Sequence, residues 1–92
     1  MATRSIKKLR ARYDLWGDNP VHALGEIGGR EFQFRASAGE WELQIAGYHG
    51  LPSEGDHTGH IYLGKFPTAS ISHQEAASIL ESCLRQHADA VD

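Results

Sequence analysis

The sequence predicts an α+β fold with an N-terminal helix, a three- to four-stranded antiparallel sheet, and a C-terminal helix packed on that sheet. Three observations lead there. Apolar residues recur at helical spacing between Arg4 and Trp16, apolar and polar residues alternate from Val21 to Ile45 around glycine turns, and a helix-start signature at Ser72–Glu75 precedes a second helical stripe.

Taken in order, Ile6, Leu9, Tyr13 and Trp16 stand at three- and four-residue steps, with Lys7, Lys8, Arg10, Arg12 and Asp14 between them. This reads as an amphipathic helix with a basic outer face, ended by the Gly17–Pro20 run. The segments VHALGEI and REFQFRAS then flank Gly28-Gly29, the pair that a type I′ hairpin turn requires at its two positive-φ positions. Phe32 and Phe34 share one face of the second segment, leaving Glu31, Gln33 and Arg35 on the other. Ala38-Gly39-Glu40 turns the chain into WELQIAG, where Trp41, Leu43 and Ile45 alternate with polar neighbours.

The stretch from Tyr48 to His60 is rich in glycine and histidine and has neither period, so it is read as a long exposed loop. HIYLGKF follows as a strand with Ile61 and Leu63 on one face and Tyr62 on the other. Ser72 and Glu75 fit a capping box, and Ala76, Ile79, Leu80, Cys83, Leu84 and His87 then form one stripe of a helix. On its outer face Glu81 and Arg85 stand four apart, a spacing that adds modest support.

Ninety-two residues allow one domain, spanning 1–92, with a single core. No apolar run approaches the ~18 residues that cross a bilayer, and the N-terminus lacks a signal-peptide pattern, so the expected compartment is the cytoplasm and no membrane partner is expected. The only cysteine, Cys83, lies on an apolar helical stripe and is read as a buried, inert thiol.

The candidate chemistry is thin. His57 and His60 are three apart in a Gly-rich loop, not at the i, i+4 helical spacing of a zinc-protease site, and a strand would turn them to opposite faces. A folded loop gathering His49, Asp56, His57 and His60 is the one route to a metal, and a metal-dependent hydrolase the only enzyme class it would suggest. No Gly-x-Ser-x-Gly elbow and no phosphate-cradling glycine motif occurs. The expected protein is therefore not an enzyme and carries no cofactor.

A binding role has more to rest on. Residues 1–35 hold seven Lys or Arg against four acids, and residues 36–92 hold two against eight. The leading expectation is a protein-protein interaction module that uses Glu31, Gln33 and Arg35 on the strand face, and Tyr48, His57 and His60 in and beside the loop, with Tyr48 as anchor. The alternative is a nucleic-acid binder using Arg4, Lys7, Lys8, Arg10 and Arg12 against phosphates. A homodimer is compatible with either, because one covering helix leaves a sheet face for a second copy.

Two resemblances bear on this choice. Leu63, Gly64, Phe66, Thr68, Glu75, Ala76 and Ala77, within about a fifth of the chain, resemble the last strand and helix of the three-stranded DNA-binding domains of plant AP2 factors and phage integrases. That resemblance implies DNA contact through an Arg-rich sheet, whereas Glu31, Gln33, Glu42 and Gln44 make the outward face here mixed in charge. In size, helix-sheet-helix order and absence of a catalytic motif, the chain also resembles the small inhibitors that phages and mobile elements direct at bacterial defence, anti-CRISPR proteins among them. This implies a protein that works by occupying a partner's surface.

Overall fold

The computed structural model describes residues 3–67 and 70–91. Six strands, β1 (Thr3–Ile6), β2 (Ala11–Trp16), β3 (Val21–Ile27), β4 (Arg30–Ser37), β5 (Glu40–Ile45) and β6 (His60–Lys65), pair in sequence order as one antiparallel meander. One helix, α1 (His73–Val91), lies across a single face of that sheet.

The N-terminal helix is not present, and the sheet is larger than the three or four strands expected. Residues 4–16 form the β1–β2 hairpin, closed by a short 3-10 turn at Lys7–Leu9 and by Arg10 at φ 54°. The helical spacing of Ile6, Leu9, Tyr13 and Trp16 coexists with a second pattern, in which Ala11, Tyr13 and Leu15 alternate with Arg12, Asp14 and Trp16. The second pattern is the one that is buried. Aromatic residues suit a pleated surface, and as a strand this segment pairs with β3 from Ala11↔Ile27 to Trp16↔His22, which would otherwise be an edge. With the helix goes the helix-sheet-helix order on which the likeness to phage inhibitors partly leaned.

The remaining turns follow their local chemistry. Gly28 and Gly29 both take positive φ, 55° and 84°, and Ala38-Gly39 repeats that geometry between β4 and β5. Ser72 and Glu75 form the capping box, the Glu75 amide donating to Ser72 Oγ at 3.1 Å and the Ser72 hydroxyl to Glu75 Oε1 at 2.9 Å. Glu81 does not pair with Arg85; it accepts the Tyr13 hydroxyl proton at 2.6 Å and so ties helix to sheet. Thr68, part of the AP2-like pattern, lies outside the described residues.

The core is the layer between sheet and helix. Tyr13, Val21, Phe32, Phe34, Leu43 and Ile45 meet Ala76, Leu80 and Leu84 of α1 there. Gly25 stands in register between Tyr13 and Phe32, whose rings are 6.4 Å apart. A Cβ at this glycine would run into the Arg12 carbonyl and the Tyr13 backbone, so the missing side chain lets the two rings flank it.

Candidate interaction surface

No element among the described residues covers the second face of the sheet as α1 covers the first. Strand alternation places four cross-strand rows on it. One runs Trp16, His22, Arg35, Glu42, Leu63; the next Thr3, Asp14, Leu24, Gln33, Gln44, Ile61; the third Ser5, Arg12, Glu26, Glu31; and the fourth Ser37, Glu40, Lys65. Parts are ordered by side-chain contacts: Trp16 stacks on His22 at 5.5 Å, Arg12 pairs with Glu26 at 2.9 Å, and the Thr3 hydroxyl donates to Asp14 at 2.6 Å. Two shallow depressions, about 340 and 240 Å³, lie to either side of Arg35.

Apolar exposure concentrates toward β6. Leu63 is 71% exposed and Ile61 53%, with Leu24 at 46% further into the face. The edge itself is open. The Phe66 amide donates to the Gly39 carbonyl at 2.8 Å, which makes Phe66/Gly39 a hydrogen-bonded pair in the β5–β6 register. By antiparallel alternation the peptide groups of Ile61, Leu63 and Lys65 then point away from β5. Tyr62 and Gly64 turn to the helix side, where the Trp41 indole occupies the space a Cβ on Gly64 would take. A groove of about 520 Å³ runs there between β6 and α1, past Tyr62, Ile79 and Cys83. Burial pushes the Cys83 thiol up, which keeps it neutral.

The loop between β5 and β6 is built, not slack. Asp56 accepts from the His49 amide and from the Thr58 amide and hydroxyl, each at 2.7 Å, and those bonds hold its carboxyl at about 2. Gly47 is needed beside them, since a Cβ would strike Thr58 and Asp56. Around Pro52–Glu54 the loop folds over one corner of the open face, where the Ser53 amide donates to Gln44 at 3.0 Å.

The residues expected to bind a partner fall on separate surfaces. Glu31, Gln33 and Arg35 do lie together on the open face. Tyr48, 77% exposed, lies instead under the Arg30 guanidinium at 5.0 Å, at the turn end of the sheet. His57 is exposed in the loop. His60 turns to the helix side, stacked on Tyr62 and edge-on to His87 at 4.9 Å. There the Tyr62 hydroxyl and His87 Nδ1 are 2.9 Å apart, and burial, with His60 and Arg30 adding to it, holds the His87 imidazole below its ordinary value.

The four possible metal ligands do not converge. Both Asp56 oxygens are committed to the loop, and among the described residues no group of three or more His, Cys, Asp or Glu side chains is placed to hold an ion. The basic set divides too: Arg4 stands opposite Tyr13, Lys7, Lys8 and Arg10 occupy the first turn, and Arg12 is on the open face with Glu26. The residues missed from sequence were Trp16, His22 and Leu24; the alternation in Ala11–Trp16 was the available signal for the first. β6 is followed by α1, the order that the AP2-like pattern implies, but within a sheet of six strands instead of three.

The described residues include no helix long and apolar enough to cross a membrane. In comparison with known proteins, the sequence matches no protein-family model and no curated protein, and the structure matches no solved one.

Proposed function

We propose that the chain is a non-enzymatic protein-binding module that works in the cytoplasm and receives an extended segment of another protein at β6, with the open sheet face as the flanking contact. One observation carries this reading: on one edge, the peptide groups of Ile61, Leu63 and Lys65, without backbone partners among the described residues, coincide with two exposed aliphatic side chains. Strand addition supplies main-chain hydrogen bonds for affinity and alternate side chains for specificity. Proteins commonly blunt such edges with charge, and only Lys65 does so here. The face carries Asp14, Glu26, Glu31, Glu40 and Glu42 against Arg12, Arg35 and Lys65, a mixture suited to a protein surface and unsuited to a phosphate backbone.

The test is affinity capture followed by substitution. Leu63→Asp should abolish capture of a partner retained by the native chain, while Tyr48→Ala leaves it intact. Capture that survives Leu63→Asp and is lost with Tyr48→Ala would move the contact to the loop and refute the edge assignment. Dimerisation in light scattering, abolished by the same Leu63→Asp change, would assign the edge to a second copy. Inhibition of a bacterial defence complex is a special case of this reading, tested by whether expression of the chain relieves CRISPR interference in plasmid transformation.

A second reading, contact with nucleic acid, is favoured by one feature: Lys7, Lys8 and Arg10 stand together in the first turn, near Arg30. It predicts a complex at low salt whose affinity falls steeply as salt rises, and that disappears when the three turn cations are neutralised.

A further inference from the structure

The β1–β2 turn, the β3–β4 turn and the last turns of α1 enclose a pocket of about 260 Å³. Leu9 and Ile27 supply apolar wall, and the polar side chains around it are Lys8, Arg10, Arg30 and His87. Among the described residues no carboxylate lines it and none of the three cations has a salt-bridge partner.

His87 is the unusual member. It is 4% exposed, and its Nδ1 is engaged with the Tyr62 hydroxyl at 2.9 Å, whereas Nε2 has no partner among the described residues. The ring is held neutral by burial and by His60 and Arg30 beside it. Where the Tyr62 hydroxyl is the donor to Nδ1, the one ring proton resides on Nε2, which then donates; with Nδ1 protonated instead, Nε2 accepts. Arg30 is held in place by the Ala46 carbonyl at 3.3 Å and by the Tyr48 ring, leaving further N–H groups of its fork unused. With His87 in the first tautomer, every polar side chain around the pocket among the described residues is a donor.

We infer that this pocket binds a phosphate-class oxyanion, with Lys8, Arg10 and Arg30 supplying charge and His87 Nε2–H donating from the buried side. The volume falls below the roughly 300–1,000 Å³ of sites for drug-sized ligands and suits a small ion or a single phosphoryl group. Charge-assisted hydrogen bonds from guanidinium groups are the strong class for such ligands. The site is independent of the β6 edge, so it stands or falls separately from the protein-binding reading.

The experiment is an NMR titration of the whole chain with inorganic phosphate at constant ionic strength, balanced with chloride. Saturable shifts at the amides of Lys8, Arg10 and Gly28 and at the His87 ring are expected, and chloride should produce none. Lys8 and Arg10 are exposed, so Lys8→Gln/Arg10→Gln should fold normally and bind phosphate about tenfold more weakly or worse. Shifts spread over all cationic residues without saturation, or an unchanged affinity in the double variant, would overturn the site. So would a double variant that lowers thermal stability equally with and without phosphate while no phosphate-dependent shift occurs, since the cations then serve only the negative end of α1. A short single-stranded oligonucleotide that competes with phosphate identifies a nucleic-acid backbone as the source of the anion, and one that does not compete identifies a free phosphate; either supports the site.

Discussion

Tyr13→Phe tests the link between sheet and helix. The ring is 1% exposed, packed near Phe32, and its hydroxyl donates to Glu81 at 2.6 Å. Phenylalanine preserves the packing and removes only that bond. Hydrogen bonds to a charged group contribute about 1.5–3 kcal/mol, and because Glu81 is half-exposed and water can replace the hydroxyl, the low end applies, about 1.5 kcal/mol. With an unfolding entropy of about 2.1 cal/mol/K per residue, a chain of this size should lose about 8 °C in Tm.

The same hydroxyl gives a pH signature. Burial first, and then Glu81, push the Tyr13 phenol well above its ordinary value. The native state therefore keeps a proton that the unfolded chain releases near pH ~10. Stability is fully present below that pH and falls above it, by up to about 1.4 kcal/mol per pH unit from this residue. Tyr62, also raised by burial, acts in the same direction and remains in the variant. Urea unfolding of both proteins between about pH 8 and pH 11 measures the difference, because Tyr13→Phe should be the less stable at pH ~8 and lose less as pH rises. Equal stability at pH ~8, or parallel losses up to pH ~11, would refute the reasoning.

Further outcomes are expected from other contacts. Leu63→Asp, at a side chain 71% exposed, should change unfolding free energy by less than about 0.5 kcal/mol, so a loss of partner capture would reflect the surface and not the fold. Gly25→Ala should destabilise by more than about 2 kcal/mol in urea titration, because its Cβ meets backbone that cannot move aside. Leu84→Ala, at a fully buried position under the sheet, should cost about 2–5 kcal/mol by the same measurement. Asp56 is held low, so its loop bonds are present above about pH 4 and lost as pH falls toward 2. Protection of the His49 and Thr58 amides against hydrogen exchange, relative to the intrinsic rate at each pH, should fall over that window, and in Asp56→Ala at neutral pH, while the core strands are unaffected.

By itself the sequence determined what is local. The Gly28-Gly29 turn, the Ser72/Glu75 box, the alternating strands from Val21 to Ile45 and the helical stripe ending at His87 are each specified by neighbours a few residues away, through backbone dihedrals, caps and period. Tertiary structure decided the rest. Arg4–Trp16 carries two periods at once, and the choice fell to β3, whose free edge a strand can satisfy and a helix cannot. In β6 the alternation of Ile61, Tyr62 and Leu63 was plain, but which face turns inward depends on the register with β5, where Leu43↔Tyr62 sends the tyrosine to His87 and leaves both aliphatics outside. The candidate sites share that origin: Leu63 beside Glu42, and Lys8 and Arg10 beside Arg30 and His87, are neighbours only because the meander and the helix bring distant stretches together, and no spacing in one segment encodes that meeting.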